Sequence, residues 1–148
     1  FFCVPKTKCL KYARGRFRHK DEVRYGDQTI EYVKEFKYLG IKMTPRQSPT
    51  AHLDLLYWKS VTTTMALNSE LDFKKVNFET ACRLYTSIVI PAGSYGIEAY
   101  CDKITEDIFL KHQKKISGFY WKKWCGVPNT VSTTNLTELI FNGDPLNL

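Results

Sequence analysis

The 148-residue sequence contains no apolar run approaching the ~20 residues that a membrane-crossing helix needs, so no membrane partner is expected. It contains no C-x-x-C pair, and its five cysteines (Cys3, Cys9, Cys82, Cys101 and Cys125) are odd in number. That argues against a secreted disulfide framework and against a zinc ribbon. Cys101, His112 and Cys125 are spaced too widely for a zinc knuckle. Also missing are a G-x-x-x-x-G-K-[ST] phosphate loop, an H-E-x-x-H helix and a G-x-S-x-G elbow. Asp21, Asp27, Asp54, Asp72, Asp102, Asp107 and Asp144 stand scattered and isolated. No catalytic residue and no metal ligand is therefore assigned. There is no initiator Met, and Phe1-Phe2-Cys3-Val4 is too short for a signal peptide, so the expectation is a piece of a longer gene product. Its thiols are expected to be reduced, in an intracellular setting, nuclear or cytoplasmic. The sequon Asn135-Leu136-Thr137 would go unused there.

What is present is enough apolar surface to fold and an uneven excess of positive charge. Hydrophobic residues make up 43% and aromatics 14%, which excludes a disordered chain. The net charge is +7. Residues 1–75 hold 15 Lys/Arg against 8 Asp/Glu, and residues 76–148 hold 7 against 7, so the whole excess lies in the first half. Such a focused basic field attracts polyanions. From Lys11 to Lys20 arginines alternate with aromatics, a composition suited to phosphate contact and base stacking. His19 there has no partner pattern and is read as solvated or phosphate-facing, not as a metal ligand.

The elements follow from periodicity and punctuation. Pro5 delays any first strand to Lys6 or later. Val23-Arg24-Tyr25, Gly26-Asp27 and Gln28-Thr29-Ile30-Glu31 read as a hairpin with a tight turn. Strand character continues through Val33 to Ile41. Thr44 to Thr50, polar with two prolines, is the clearest linker. A helix is expected from about Ala51 to Leu67, capped by Thr50. Its apolar stripe is Leu53, Leu56, Tyr57, Val61 and Thr64 or Met65, extended by Trp58. The run Thr62-Thr63-Thr64 is expected to fray or bend it. His52 on its first turn reads as a cap neighbour or an exposed residue. Asn77 should cap a second helix whose apolar face is Phe78, Ala81, Cys82, Leu84, Tyr85, Ile88 and Val89, with Pro91 ending or kinking it at Ile90. A third opens at Thr105-Glu106-Asp107, carries Ile104, Ile108, Ile116, Phe119 and Tyr120 as its stripe, and stops at Gly126-Val127-Pro128. Trp121 and Trp124 lie among lysines, which suits either stacking on nucleic acid or lysine stems over a helix surface.

Several stretches, in order, carry a resemblance. Phe36-Lys37-Tyr38-Leu39-Gly40-Ile41 resembles the FKYLG(I/V) signature of reverse transcriptases from non-LTR (LINE-type) retrotransposons. Lys6-Thr7-Lys8 resembles their N-x-x-K-T-K element, with Cys3 where the family has Asn. Leu84-Tyr85, Ile88 to Pro91, Tyr95-Gly96 and Glu98 resemble their thumb helix, with Tyr100 in place of Trp. Cys125 to Thr130 and Leu136 to Leu139 with Pro145-Leu146 are similar to the stretch downstream.

The resemblance implies an α+β fold: a short N-terminal antiparallel hairpin or sheet, then a bundle of about three helices. It implies the end of the palm and the primer-grip hairpin over 1–43, thumb-like helices over 44–100, and a helix with the start of the following region over 101–148. The implied function is that of a fragment of an RNA-directed DNA polymerase that holds the template–primer duplex. The palm and fingers would be supplied elsewhere, together with the F/Y-x-D-D aspartates and the Mg2+ ions they bind. The other reading is a domesticated, retrotransposon-derived nucleic-acid-binding or protein-adaptor module without enzymatic activity. A structural scaffold with an incidental basic surface is a third. Residues expected at an RNA–DNA or DNA duplex are Lys6, Lys8, Arg14, Arg16, Arg18, Lys34, Lys37 and Tyr38 on the hairpin side. On the helix side they are Lys111, Lys114 and Lys115. No cofactor is expected in this chain itself.

Overall fold

A computed structural model describes residues 7–12 and 22–141. Among these the protein is α+β, with short strands first and helices after, in two compact units that meet in sequence between His52 and Leu53.

In the first unit β1 (Lys8–Cys9), β2 (Val23–Tyr25) and β3 (Gln28–Tyr32) form a three-stranded sheet in the order β1-β3-β2. β2 and β3 are the antiparallel hairpin expected around Gly26-Asp27, with Val23 opposite Ile30 and Tyr25 opposite Gln28. β1 joins β3 in parallel, Lys8 opposite Glu31, and the Val33 amide donates to the Cys9 carbonyl at 2.9 Å. The strand expected to run on to Ile41 does not. It stops at Tyr32, and β4 (Phe36–Tyr38) and β5 (Ile41–Met43) make a separate hairpin. Its turn falls inside the FKYLGI stretch, at Leu39 (φ 48°) and Gly40 (φ 85°). Two successive positive φ values are the geometry of a two-residue turn whose twist matches that of the strands. Period-2 apolar spacing cannot locate such a turn, because it persists across it.

α1 (Thr50–Leu71) is longer than expected and unbroken through Thr62-Thr63-Thr64. Those hydroxyls do not compete with the helix. Thr62 and Thr64 donate to the carbonyls four residues back, on Trp58 at 2.9 Å and Ser60 at 2.8 Å. The buried face also differs from the expected stripe. Leu53, Leu56, Ser60 and Thr64 are buried, while Trp58 is 63% exposed and Met65 is exposed. Hydropathy placed Trp58 inside; packing chose small residues instead. The reason is a close helix crossing, since a Cβ on Gly93 would lie 2.5 Å from Ser60 Oγ and 2.6 Å from Ile116 Cδ1. His52 is buried, not exposed, and its Nδ1 accepts from the Lys42 amide at 3.3 Å.

Asn77 caps α2 (Phe78–Leu84) by accepting from the Thr80 amide at 2.9 Å. Pro91 neither ends nor breaks the helical path beyond it. A π-turn over Tyr85–Val89, in which the Ile90 amide reaches back to the Tyr85 carbonyl, leads into α3 (Ile90–Ser94). The widened turn shifts the hydrogen-bond register just where proline lacks a donor.

Thr105 caps α4 (Glu106–Cys125), which closes at Gly126 with bonds from the Gly126 and Val127 amides to the Lys123 and Lys122 carbonyls. α5 (Thr133–Phe141) completes the second unit. The core of that unit is Phe73, Ala81, Tyr85, Val89, Ile116, Tyr120, Trp121 and Leu136. Trp121 is therefore no stacking platform. It is 1% exposed, with ring centroids 5.0 Å from Tyr120 and 5.1 Å from Phe141. Trp124 is half-buried and donates from Nε1 to the Val76 carbonyl at 3.1 Å.

Candidate nucleic-acid interface

Of the expected contact residues, Lys6, Arg14, Arg16 and Arg18 lie outside the described residues, as does His19. The remainder divide between the units, and each unit carries its own basic surface.

In the first unit Lys8 forms an ion pair with Glu31, its neighbour across β1 and β3. Lys34 is exposed in the connection between β3 and β4, and Lys37 is exposed on β4 directly opposite Lys42. Lys42 is in turn paired with Glu35 at 2.9 Å. Tyr38 and Leu39 form the tip of this hairpin, 55% and 72% exposed. Leu39 is the unexpected member. An exposed apolar side chain occupies a left-handed backbone position, where Asn or Gly would cost less. The local sequence places Lys37 and Tyr38 correctly on a strand, and the turn then sets them at an exposed tip.

In the second unit Lys111, Lys114 and Lys115 are exposed on α4, spaced so that like charges are helical neighbours. Such pairs repel by a few tenths of a kcal/mol, on the order of 0.2–0.5 each. None of the three makes an ion pair among the described residues. An anionic partner would relieve that repulsion. On the same helix His112 is buried, and its Nε2 lies 2.9 Å from the Gly93 carbonyl oxygen. Burial holds its pKa below the ordinary imidazole value, and Lys115 pushes the same way. The Gly93 bond and Asp54 oppose that shift. A neutral His112 donates to Gly93 and locks the α3–α4 approach.

Reasoning from periodicity missed a surface on α1. Trp58 stands between two open grooves. One, of about 570 Å³, is lined by Leu55, Lys59, Thr62, Pro91 and Tyr95 among others. The other, of about 540 Å³, includes Tyr57, Lys115, Phe119, Lys122 and Asn129. The signal in the sequence was the small polar pair Ser60 and Thr64 at helical spacing from Leu53 and Leu56, which marks the true buried face and leaves Trp58 outside it.

Among the described residues no group of three or more His, Cys, Asp or Glu side chains could hold a metal ion. No helix among the described residues is long and apolar enough to cross a membrane. No family model, no curated protein and no solved structure matches the chain.

Proposed function

We propose that this chain is part of a LINE-type RNA-directed DNA polymerase and that it holds the template–primer duplex against a palm supplied by other sequence. The observation that carries this reading is the β4–β5 hairpin. Its motif resembles the primer-grip signature of that family. Its tip exposes Lys37, Tyr38 and Leu39 together, a basic, aromatic and apolar set suited to a phosphate–sugar backbone. The lysine cluster Lys111, Lys114 and Lys115 on α4 is a second basic surface, argued on its own charge pattern. The polymerase's Mg2+ ions would be bound by aspartates outside this sequence.

The test is binding of the 148-residue chain to an RNA–DNA hybrid at two salt concentrations. Removing a lysine that touches one phosphate should lower the magnitude of the logarithmic salt slope by about 0.9. Substituting Lys37→Ala with Lys111→Ala is thus expected to flatten it by about two such increments. Absence of binding at low salt, or a slope unaffected by the substitutions, rejects the reading. The coding sequence upstream of Phe1 separates the polymerase from a non-enzymatic binding module. An F/Y-x-D-D motif within some tens of codons is expected for the former.

A further inference from the structure

We propose that the paired grooves around Trp58 bind an unpaired nucleic-acid strand, with a base stacked on the exposed indole. Phosphates would sit at Lys59 on one side and at Lys115 and Lys122 on the other. The site shares the partner's class and Lys115 with the reading above. Its other anchors, Trp58, Lys59 and Lys122, are its own, and it takes a different form of nucleic acid.

The first argument is shape. Trp58 is 63% exposed, yet it is not a stray surface residue. It lines both grooves. The two open grooves, of about 570 and 540 Å³, leave room beside the indole for a base-sized group. The ring of Tyr57 lies beside the indole, with centroids 5.5 Å apart and planes at 65°.

The second argument is charge. The two linings contain three lysines and no carboxylate. Lys59 Nζ sits 5.2 Å from the centroid of the Tyr95 ring, and Lys122 Nζ donates to the Asn129 carbonyl at 3.1 Å. Both ammonium groups are thus positioned at a groove, not left trailing in solvent. Lys115 makes no ion pair among the described residues.

The third argument selects the occupant. A base inside a duplex already has both faces covered by its neighbours and cannot stack on an indole. An unpaired base can, and such stacking is tolerant of sequence because every base has a π-face. An apolar protein segment would leave the lysines unanswered. An acidic peptide would answer them but make no use of the exposed indole.

The experiment titrates the 148-residue chain with an oligothymidylate of about ten nucleotides, a length within the usual span of single-strand sites, while tryptophan emission is recorded. Trp58 is the exposed indole and Trp121 is buried, so stacking should quench the emission. Trp58→Ala should abolish the quench and weaken binding about tenfold, whereas Trp58→Phe should retain most of the affinity. Lys59→Gln with Lys122→Gln should reduce the salt slope by about 1.4, the single-strand value for two contacts. Binding of the RNA–DNA hybrid, measured in parallel, should not change in Trp58→Ala. Equal oligothymidylate affinity in Trp58→Ala and the parent overturns the site. So does displacement of the strand by an oligoglutamate at matching charge concentration, which would point to a protein partner. Loss of hybrid binding with strand binding intact overturns the duplex reading and leaves this one standing.

Discussion

The hydroxyl of Tyr120 donates a 2.7 Å hydrogen bond to the backbone carbonyl of Ala81, 39 residues earlier in the chain. Both residues are completely buried, and the bond ties the middle of α4 to α2 one turn before the π-turn begins. Burial raises the Tyr120 phenol well above its ordinary pKa, and Cys82 and Tyr85 add to the effect. The same burial holds the Tyr85 phenol at about 12. Tyr120 is therefore a neutral donor at any physiological pH. The aromatic packing around it, with Phe73 at 5.5 Å and Tyr85 at 5.1 Å between ring centroids, fixes the ring that carries the hydroxyl.

Tyr120→Phe keeps the ring and removes the donor. The Ala81 carbonyl still accepts from the Tyr85 amide, so the destabilisation should be about 1 kcal/mol, that of one net hydrogen bond. Urea unfolding followed by circular dichroism measures it. A destabilisation as large as that of Tyr120→Ala would mean that the phenol holds the π-turn together through more than this bond.

Gly93→Ala should destabilise by about 1–3 kcal/mol, the usual range for overpacking, because the new methyl would meet Ser60 Oγ and Ile116 Cδ1. Ser60 Oγ is committed to the Leu56 carbonyl at 3.0 Å and cannot swing away freely. Ser60→Ala in the Gly93→Ala background should therefore restore part of the stability. A double mutant cycle in urea reads the coupling; strictly additive effects would contradict the close α1–α3 crossing.

Stability should fall as the pH drops through the range below about 6.5, the ordinary imidazole value. Burial lowers the pKa of His112 in the folded state. Between that lowered value and 6.5 the unfolded chain holds more protons, so acid favours unfolding, and the full contribution is present above 6.5. His112→Gln, which can still donate to the Gly93 carbonyl, should flatten this part of the profile. Urea midpoints between pH 5 and 8 for the two proteins decide it. Parallel curves would assign the dependence to another group.

Leu39→Asn should stabilise the β4–β5 hairpin by about 1 kcal/mol, since Asn tolerates the left-handed position at less cost than Leu. Amide hydrogen exchange at Met43, which pairs with Phe36 across the hairpin, reports that gain. Under the proposed function the same substitution should weaken hybrid binding, because it removes the apolar tip. A gain in stability with unchanged hybrid affinity would restrict Leu39 to a purely structural role.

The candidate surfaces were legible in the sequence only where local chemistry sufficed. Lys37 and Tyr38 are set on their strand by short-range alternation, and Lys111, Lys114 and Lys115 are exposed because nothing pairs with lysines at those helical positions. Trp58, Trp121 and Trp124 were not sorted correctly. A tryptophan's side of a helix depends on which neighbours approach, and hydropathy carries no information about that. Lys8 was expected to face a polyanion, and it also pairs with a cross-strand carboxylate 23 residues away, which its local sequence does not announce.

The sequence by itself determined the α+β order, the caps at Asn77 and Thr105, the stop at Gly126 and the place where the positive charge concentrates. Each of these rests on interactions within a few residues of chain. Only the tertiary structure decided that Phe36–Ile41 folds back on itself, that Pro91 is carried inside a helix by a π-turn, and that the indole of Trp121 is core while that of Trp58 is surface. The first is a two-residue turn that period-2 spacing does not mark; the others rest on how elements distant in sequence pack, as the close approach of Ser60, Gly93 and Ile116 illustrates. No local pattern encodes a distance between residues that meet only after folding.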